Sequence, residues 1–321
     1  MTTLITGAGL VGTAFAQCAV KRSEPLVFFD PQPRHNFIQM KLGKAEYEWV
    51  QKDVRDLPAL ISAINERKID TVVHSAGLIG KKVADSIYSG FQINVGGTLN
   101  VAEAVRLTGV KRLVHISTFG VYDTRRDTDQ PIKESFPRGT GKPYGSTKVA
   151  KEVILEAYQR QFGFELIMLR PANVFGLGHF WSGSGGGEKM QILLQGALAG
   201  KTAKIPQDQT MANEYVYAKD MGKAVDLAAT VPMPKETLFN IGNGSVTPFE
   251  TVVETVKKLV PNVQIEIVPG KAPVSKSQPL DISNAKKYLG WEPSYSLEAA
   301  FKDYLQELST AGAQLGHLIY S

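Results

Sequence analysis

The residues Gly7-Ala-Gly9-Leu-Val-Gly12 restrict this chain more than any other stretch, because of what flanks them. An apolar strand pattern, Thr3–Thr6, runs directly into the first glycine. A helical pattern follows over residues 11–20, then a second strand, Leu26–Phe29, ending in Asp30. Three glycines alone are often only a turn. Between a strand and a helix, Gly7 allows the tight turn, Gly9 lets backbone approach a pyrophosphate, and Gly12 lets helix and strand pack closely. The free N–H groups of the helix's first turn, at Leu10 and Val11, then face the phosphates. Asp30, 18 residues beyond Gly12, is placed to accept hydrogen bonds from an adenosine ribose. A carboxylate there repels a 2′-phosphate, so NAD is expected over NADP. Arg34 is the one nearby residue that argues the other way.

Strand and helix patterns keep alternating. Glu48–Val50 reads as a strand before Asp53-Val54, and residues 57–65 read as a helix. A strand over residues 71–75 leads to Ala76-Gly77, and a long helical pattern runs over residues 94–107. A strand over residues 112–117 precedes Thr118, and another covers residues 165–170. This alternation predicts an α/β protein with a Rossmann-type, doubly wound parallel sheet. Ligands of such sheets lie at the carboxyl ends of the strands. Gly7, Asp30, Asp53, Ala76, Thr118 and Asn173 all fall at or just beyond such ends. Beyond residue 175, Pro- and Gly-rich connections separate shorter elements. The expected division is a cofactor domain over residues 1–175, with 213–241 returning to it, and a smaller C-terminal α/β substrate domain over 176–321.

Chemistry enters at Tyr144-Gly-Ser-Thr-Lys148, in a helical run that extends to about residue 162. Residues at i and i+4 share one helix face. An ammonium beside a phenol favours the phenolate, so the Tyr144 pKa is expected to fall below about 10. Pro143 suits a first helical turn, whose dipole would favour the same anion. Such a tyrosine can take a proton from an alcohol, or return one, near neutral pH.

Composition excludes several alternatives. The formal net charge is +5, yet the basic pairs are scattered and interleaved with acids, so no nucleic-acid-binding stripe is expected. No apolar run approaches the ~18 residues of a membrane span. The N-terminus opens as a strand with no leader pattern, and the single cysteine, Cys18, reads as a small buried apolar residue. A disulfide framework and a thiolate metal site are excluded, and a cytoplasmic setting is expected.

Taken together, these motifs resemble the extended short-chain dehydrogenases/reductases, the NAD-dependent epimerase/dehydratase family, over nearly the whole length. The resemblance continues through His74-Ser-Ala-Gly77, Asn94-Val-Gly-Gly-Thr98, Ser117-Thr118-x-x-Val121-Tyr122 and Arg170-Pro-Ala-Asn173-Val-Phe-Gly176. It ends in Asn240-Ile-Gly-Asn-Gly244 and Asp281-Ile-Ser-x-Ala285. It implies that Tyr144 is the catalytic acid/base, that Lys148 lowers its pKa and holds the nicotinamide ribose, and that Thr118 hydrogen-bonds the reacting oxygen. It further implies a cofactor lined by Asp53, Val54, Ser75, Ala76, Gly77, Asn94, Ser117, Pro171 and Asn173. A homodimer through the helices that carry Asn94 and Tyr144 is implied too.

Departures bear on the substrate. Phe119-Gly120 follow Thr118 where family 4,6-dehydratases carry an acidic pair, so dehydration is not expected. Asn213 stands where nucleotide-sugar enzymes carry a diphosphate-clamping arginine, and the later clamp region offers only Lys271 and Lys276. A lysine lacks the bidentate fork. Lys81, Asn173, His179 and Asn213 are further candidates for substrate contact, and Gly183–Gly187 reads as a flap. The expected function is NAD-dependent hydride transfer at a secondary alcohol or ketone of a small polar substrate, such as a sugar acid or polyol. The alternatives are a nucleotide-sugar 4-epimerase with tightly held NAD and a non-catalytic NAD-binding module. Carrying both Tyr144 and Lys148 argues against the last.

Overall fold

The computed structural model describes residues 1–123, 125–126, 128–178, 185–273 and 278–315. Its centre is a seven-stranded parallel sheet. Strand β1 (Thr3–Thr6) lies between β2 (Leu26–Phe29) and β4 (Thr71–His74), with β3 (Glu48–Val50) at one edge. Beyond β4 come β5 (Arg112–Ile116), β6 (Glu165–Pro171) and, at the far edge, β10 (Leu238–Ile241). Strand order therefore reverses at the β1/β4 boundary, where parallel sheets of this kind open a crevice for ligands. Strands β1, β2, β4 and β5 are buried at every residue. That fits their continuous apolar runs, since helices cover both faces of a parallel sheet. The register aligns Thr6 with Phe29 and His74, and His74 with His115, so these strand ends stand level.

Helix α1 (Leu10–Val20) follows the glycines, and α2 (His35–Leu42) follows Asp30. Helix α3 (Leu57–Glu66) is capped at its start by the Asp56 carboxylate, which accepts from the Ala59 N–H at 3.0 Å. Two short helices, α4 (Lys81–Asp85) and α5 (Ile87–Phe91), lead to α6 (Gly97–Thr108) through a π-helical turn at Gln92–Gly96. The expected helix start at residue 94 thus falls inside that π turn. Helix α7 (Pro143–Phe162) carries Tyr144; Pro143 opens it, and Gly163, in the left-handed region at φ 79°, closes it.

The rest is built from smaller pieces. Strand β7 (Asn173–Phe175) pairs with β9 (Tyr215–Tyr217), outside the large sheet. Helix α8 (Gly185–Ala199) lies between them in sequence, and β8 (Ala203–Pro206) pairs with β11 (Ile265–Val268). Residues 185–187, read from sequence as part of a flap, form the first turn of α8 instead. Helix α9 (Ala218–Thr230) packs on α1. Helix α10 (Phe249–Leu259) and the C-terminal α11 (Leu297–Leu315) pack together. Trp291, fully buried, donates its indole N–H to the Asp220 carbonyl at 2.9 Å, and the Asp220 carboxylate accepts from Ser294 and Tyr295. The C-terminal segment is thereby tied to the start of α9. Cys18 is half-buried rather than buried.

One buried ion pair joins the parts that matter for chemistry. Arg170 on β6 donates to both oxygens of Glu152 on α7, at 2.9 and 2.6 Å, with both side chains buried. Ser117 and Arg138 donate to the same carboxylate. Burial alone would push Glu152 up, but the hydrogen bonds from Arg170, Ser117 and Arg138 outweigh it and hold the carboxyl below its ordinary value. Removing one partner of such a pair strands the other charge. Arg170→Met should therefore cost about 3–5 kcal/mol in urea unfolding. Because the Glu152 pKa is depressed on folding, its share of stability is present above about pH 4.3 and is lost as pH falls through the folded value. The variant should therefore show a smaller acid-induced loss than the parent over that window. Equal unfolding midpoints for the two chains would contradict both expectations.

Candidate active site

The crevice starts at the glycine turn. A side-chain carbon on Gly12 would lie 2.2 Å from the Gly7 carbonyl oxygen, and one on Gly7 would lie 2.9 Å from the Ala76 backbone. Both positions are closed to any larger residue. A carbon on Gly9 would meet nothing within 4 Å, so the loop is packed on the protein side and open on the other. No side chain caps the start of α1, which leaves the first-turn N–H groups at Leu10 and Val11 facing that opening. Ser75 fixes the loop from below, donating to the Thr6 carbonyl at 2.8 Å and the Gly7 carbonyl at 3.1 Å. Asp30 braces it from the side: its carboxylate accepts from the Ala8 N–H at 2.9 Å and the Gln32 N–H at 2.8 Å. Arg34, half-buried, donates to the Ala8 carbonyl at 3.2 Å. A dinucleotide's pyrophosphate and ribose fit this cradle, which offers N–H donors, an open glycine face and a carboxylate in the expected order.

At the other end of the crevice, α7 brings its first turn against the segment after β5. A side-chain carbon on Gly145 would lie 2.6 Å from the Gly120 carbonyl, so glycine permits this approach. Its result is that the Tyr144 hydroxyl faces the Thr118 side chain closely enough for that group to favour the phenolate. Thr118, buried, accepts from the Gly120 N–H at 3.2 Å, which holds its side chain in place. The Lys148 ammonium lies 5.8 Å from the centre of the Tyr144 ring and donates to the Ile116 carbonyl at 2.8 Å.

Burial works against the expected phenolate. It pushes the Tyr144 phenol up to about 12, and the Thr118 side chain only partly opposes it. Burial also pulls the Lys148 amine down to about 8, with Glu152 opposing. Desolvation penalises both charged forms here, and it outweighs the mutual attraction that sequence spacing suggested.

Other expected site residues serve the scaffold with their side chains. Ser117 donates to Glu152. Val54 is buried beneath α6, 2.5 Å from where a carbon on Gly97 would sit. Asp53 forms a two-point ion pair with Arg55, both contacts at 2.9 Å. Asn94, in the π turn, accepts from the Leu78 N–H at 2.7 Å and donates to the Leu78 carbonyl and to Thr147. It thus ties the loop after β4 to α7. Pro171 is buried in β6, and Gly77 is exposed, with φ 151°. Asn173 donates to the Glu214 carbonyl at 3.0 Å, and the first turn of α8 at Gly186 lies against its side-chain oxygen. Asn213 donates to the Met211 carbonyl at 3.2 Å. Lys81 is exposed at the start of α4. His179 and Lys276 lie outside the described residues.

Several buried ionisable groups among the described residues were not expected from sequence, Lys151, Lys189 and Glu214 among them. Lys189 donates to the Gln209 and Met211 carbonyls at 2.6 and 3.3 Å, and burial pulls its amine down to about 8. Burial raises Glu214 to about 7, although the Leu280 and Gly244 N–H groups donate to it at 2.6 and 2.7 Å. Nothing in a lone Lys or Glu of a mixed stretch marks it as buried; only the packing of β9 and α8 does so.

A model of the NAD dependent epimerase/dehydratase family matches residues 3–242. The chain belongs to that family: it is an enzyme of the extended short-chain dehydrogenase/reductase type, and its cofactor is NAD. Among its relatives is a UDP-glucose 4-epimerase of Mycolicibacterium smegmatis, 30% identical over 92% of this chain and 95% of that one. A UDP-glucuronate 4-epimerase of Thermodesulfobacterium geofontis is 26% identical over 93% of each chain. The fold matches the crystal structure of Thermotoga maritima UDP-glucose 4-epimerase with UDP-glucose at a TM-score of 0.84 and 24% identity, covering 97% of this chain and 99% of that one. Among the described residues no helix is long and apolar enough to cross a membrane.

An ultraviolet titration of the unliganded chain against Tyr144→Phe should show the missing phenol ionising above the ordinary value of about 10. A component lost from the variant near neutral pH would show instead that Lys148 dominates burial.

Proposed function

We propose that this enzyme epimerises a hydroxyl-bearing carbon of a nucleotide sugar, with NAD held through the cycle. The observation that carries the reading is Tyr144 set against Thr118 with the Lys148 ammonium 5.8 Å from its ring, at the end of the crevice opposite the glycine cradle. Full-length likeness to UDP-sugar 4-epimerases supports the substrate class. It also weakens the expectation of a small sugar acid or polyol.

NAD supplies a hydride acceptor that can return what it takes. In this reading the Gly7, Gly9 and Gly12 turn and the Leu10 and Val11 N–H groups hold its pyrophosphate, and Asp30 holds the adenosine ribose. Asp53 and Val54 flank the adenine through backbone. Ser75, Ala76, Gly77, Asn94, Ser117, Pro171 and Asn173 shape the rest of the path. Thr118 orients the substrate hydroxyl toward Tyr144, which removes its proton as the carbon is oxidised and returns it after the other face is presented. In the unliganded chain Tyr144 keeps its own proton at neutral pH. A cation set against the ring on ligand binding would favour releasing it. Lys148 holds the ribose and contributes that charge. Residues 1–175 with 213–241 form the cofactor domain, and 176–321 the substrate domain.

A second reading, net oxidation of a small alcohol, is favoured by one feature. Asn213 stands where a clamping arginine would grip a diphosphate, and its amide is spent on the Met211 carbonyl. Incubation with NAD and UDP-glucose, UDP-glucuronate or free sugar acids separates the two. Epimer formation without accumulating NADH supports the proposal; NADH formed in step with a free acid or alcohol overturns it. Tyr144→Phe should lower turnover by about 10²–10⁴ while leaving NAD affinity within about twofold. Full activity in that variant would remove Tyr144 from the chemistry.

The enzyme is further proposed to act as a homodimer in the cytoplasm. Ile87 and Tyr88 on α5, Leu99 and Leu107 on α6, and Val153 on α7 are exposed apolar side chains on neighbouring helices. Leu99→Glu with Val153→Glu should convert a dimer to a monomer in sedimentation velocity. A parent chain that is already monomeric contradicts the assignment.

A further inference from the structure

Helix α7 carries a second lysine on the face that presents Tyr144 and Lys148. Lys151 is one turn beyond Lys148, at i+3, and two turns beyond Tyr144, at i+7. It is fully buried, yet no carboxylate pairs with it among the described residues. Its amine donates to the carbonyl of Ala76 at 3.1 Å. That residue begins the turn along the cofactor's path, and a side-chain carbon on Gly77 would lie 3.6 Å from the same nitrogen.

The surroundings are basic on every side. From α7 itself come Lys148 and Glu152, but Glu152 is committed to Arg170, Arg138 and Ser117. From β4 comes His74, held between the hydroxyls of Thr6 and Thr98 at 2.7 and 2.8 Å. From β5 comes His115, stacked on His74 at 5.3 Å, with neither ring nitrogen hydrogen-bonded among the described residues. Asn94 and Thr147, the nearest groups from the π turn and α7, do not titrate.

We propose that Lys151 is a positioning residue for the cofactor's path: from the buried face of α7 its amine fixes the Ala76–Gly77 turn. Burial and then Lys148 keep the Lys151 amine well below its ordinary value, and burial holds both histidines neutral in the same way. The Lys148 charge itself is set by burial and Glu152, so Lys151 acts through its hydrogen bond to Ala76 rather than through its charge.

The inference rests on the NAD-binding reading and not on the choice of substrate, so its test reads cofactor binding directly. NAD affinity is measured by calorimetry from pH 6 to 9 for the parent, Lys151→Met and Lys151→Gln. Methionine removes both donor and charge; glutamine keeps a donor and removes the charge. The alkaline fall in affinity should keep the parent's midpoint in both variants, since burial and Glu152 set the Lys148 charge. The affinity at its plateau should drop at least about threefold in Lys151→Met and recover in Lys151→Gln. A folded methionine variant whose plateau affinity equals the parent's would overturn the proposal. If the methionine variant does not fold, Lys151→Thr, too short to reach the Ala76 carbonyl, decides in its place: a loss of about threefold at the plateau supports the proposal and a parent-like affinity overturns it. A parent chain that fails to bind NAD would sink the functional reading and this inference together, whereas a wrong sugar would leave both binding curves unchanged.

Discussion

The Glu152 carboxylate is the constraint on which the catalytic geometry depends. It lies on the buried side of α7 and draws donors from three places: Arg170 on β6, Ser117 just after β5, and Arg138 in the segment before the helix. A buried carboxylate must have such partners, since an isolated ion in a low-dielectric interior is strongly penalised. Satisfying it fixes the rotation and height of α7 against the sheet. Once that is set, Tyr144 two turns earlier faces Thr118, and Lys148 one turn earlier reaches the Ile116 carbonyl. Gly145 then removes the last steric obstacle, the Gly120 carbonyl. The proposed acid–base chemistry is positioned by an ion pair that takes no part in it.

Burial then decides the protonation states. Beneath the carboxyl ends of β4 and β5 lie His74, His115, Lys148 and Lys151, and among the described residues the only carboxylate near them already serves two arginines. Such a cluster cannot carry its full complement of charge. The histidines are neutral, the lysines are pulled down, and the Tyr144 phenol is pushed up. Spacing along a helix says which groups meet. It does not say how much water they keep.

The cofactor end and the substrate end of the crevice differ in how strongly they are specified. Gly7 and Gly12, which nothing else could replace sterically, a carboxylate bound to the loop it braces, and uncapped helix N–H groups leave little freedom at the first. At the second, Asn173 and Asn213 hydrogen-bond to nearby backbone carbonyls, and Lys189 is drawn into the protein. Relatives of the same length act on several nucleotide sugars. The substrate therefore rests on likeness more than on side chains, which is why its test is chemical.

The sequence alone determined the parallel sheet, the glycine cradle with Asp30, and the pairing of Tyr144 with Lys148, because these depend on local spacing that one strand or helix imposes. Val54, Ser117 and Asn94 were legible as positions but not as roles: packing alone turned their side chains inward. The tertiary structure also decided that β10 closes the sheet and that β9 leaves it for β7. It alone buried Lys151 against Ala76 and raised the Tyr144 phenol. The reason is physical: hydrogen-bond pattern and periodicity are properties of neighbouring residues, whereas desolvation depends on groups distant in sequence that fold over them.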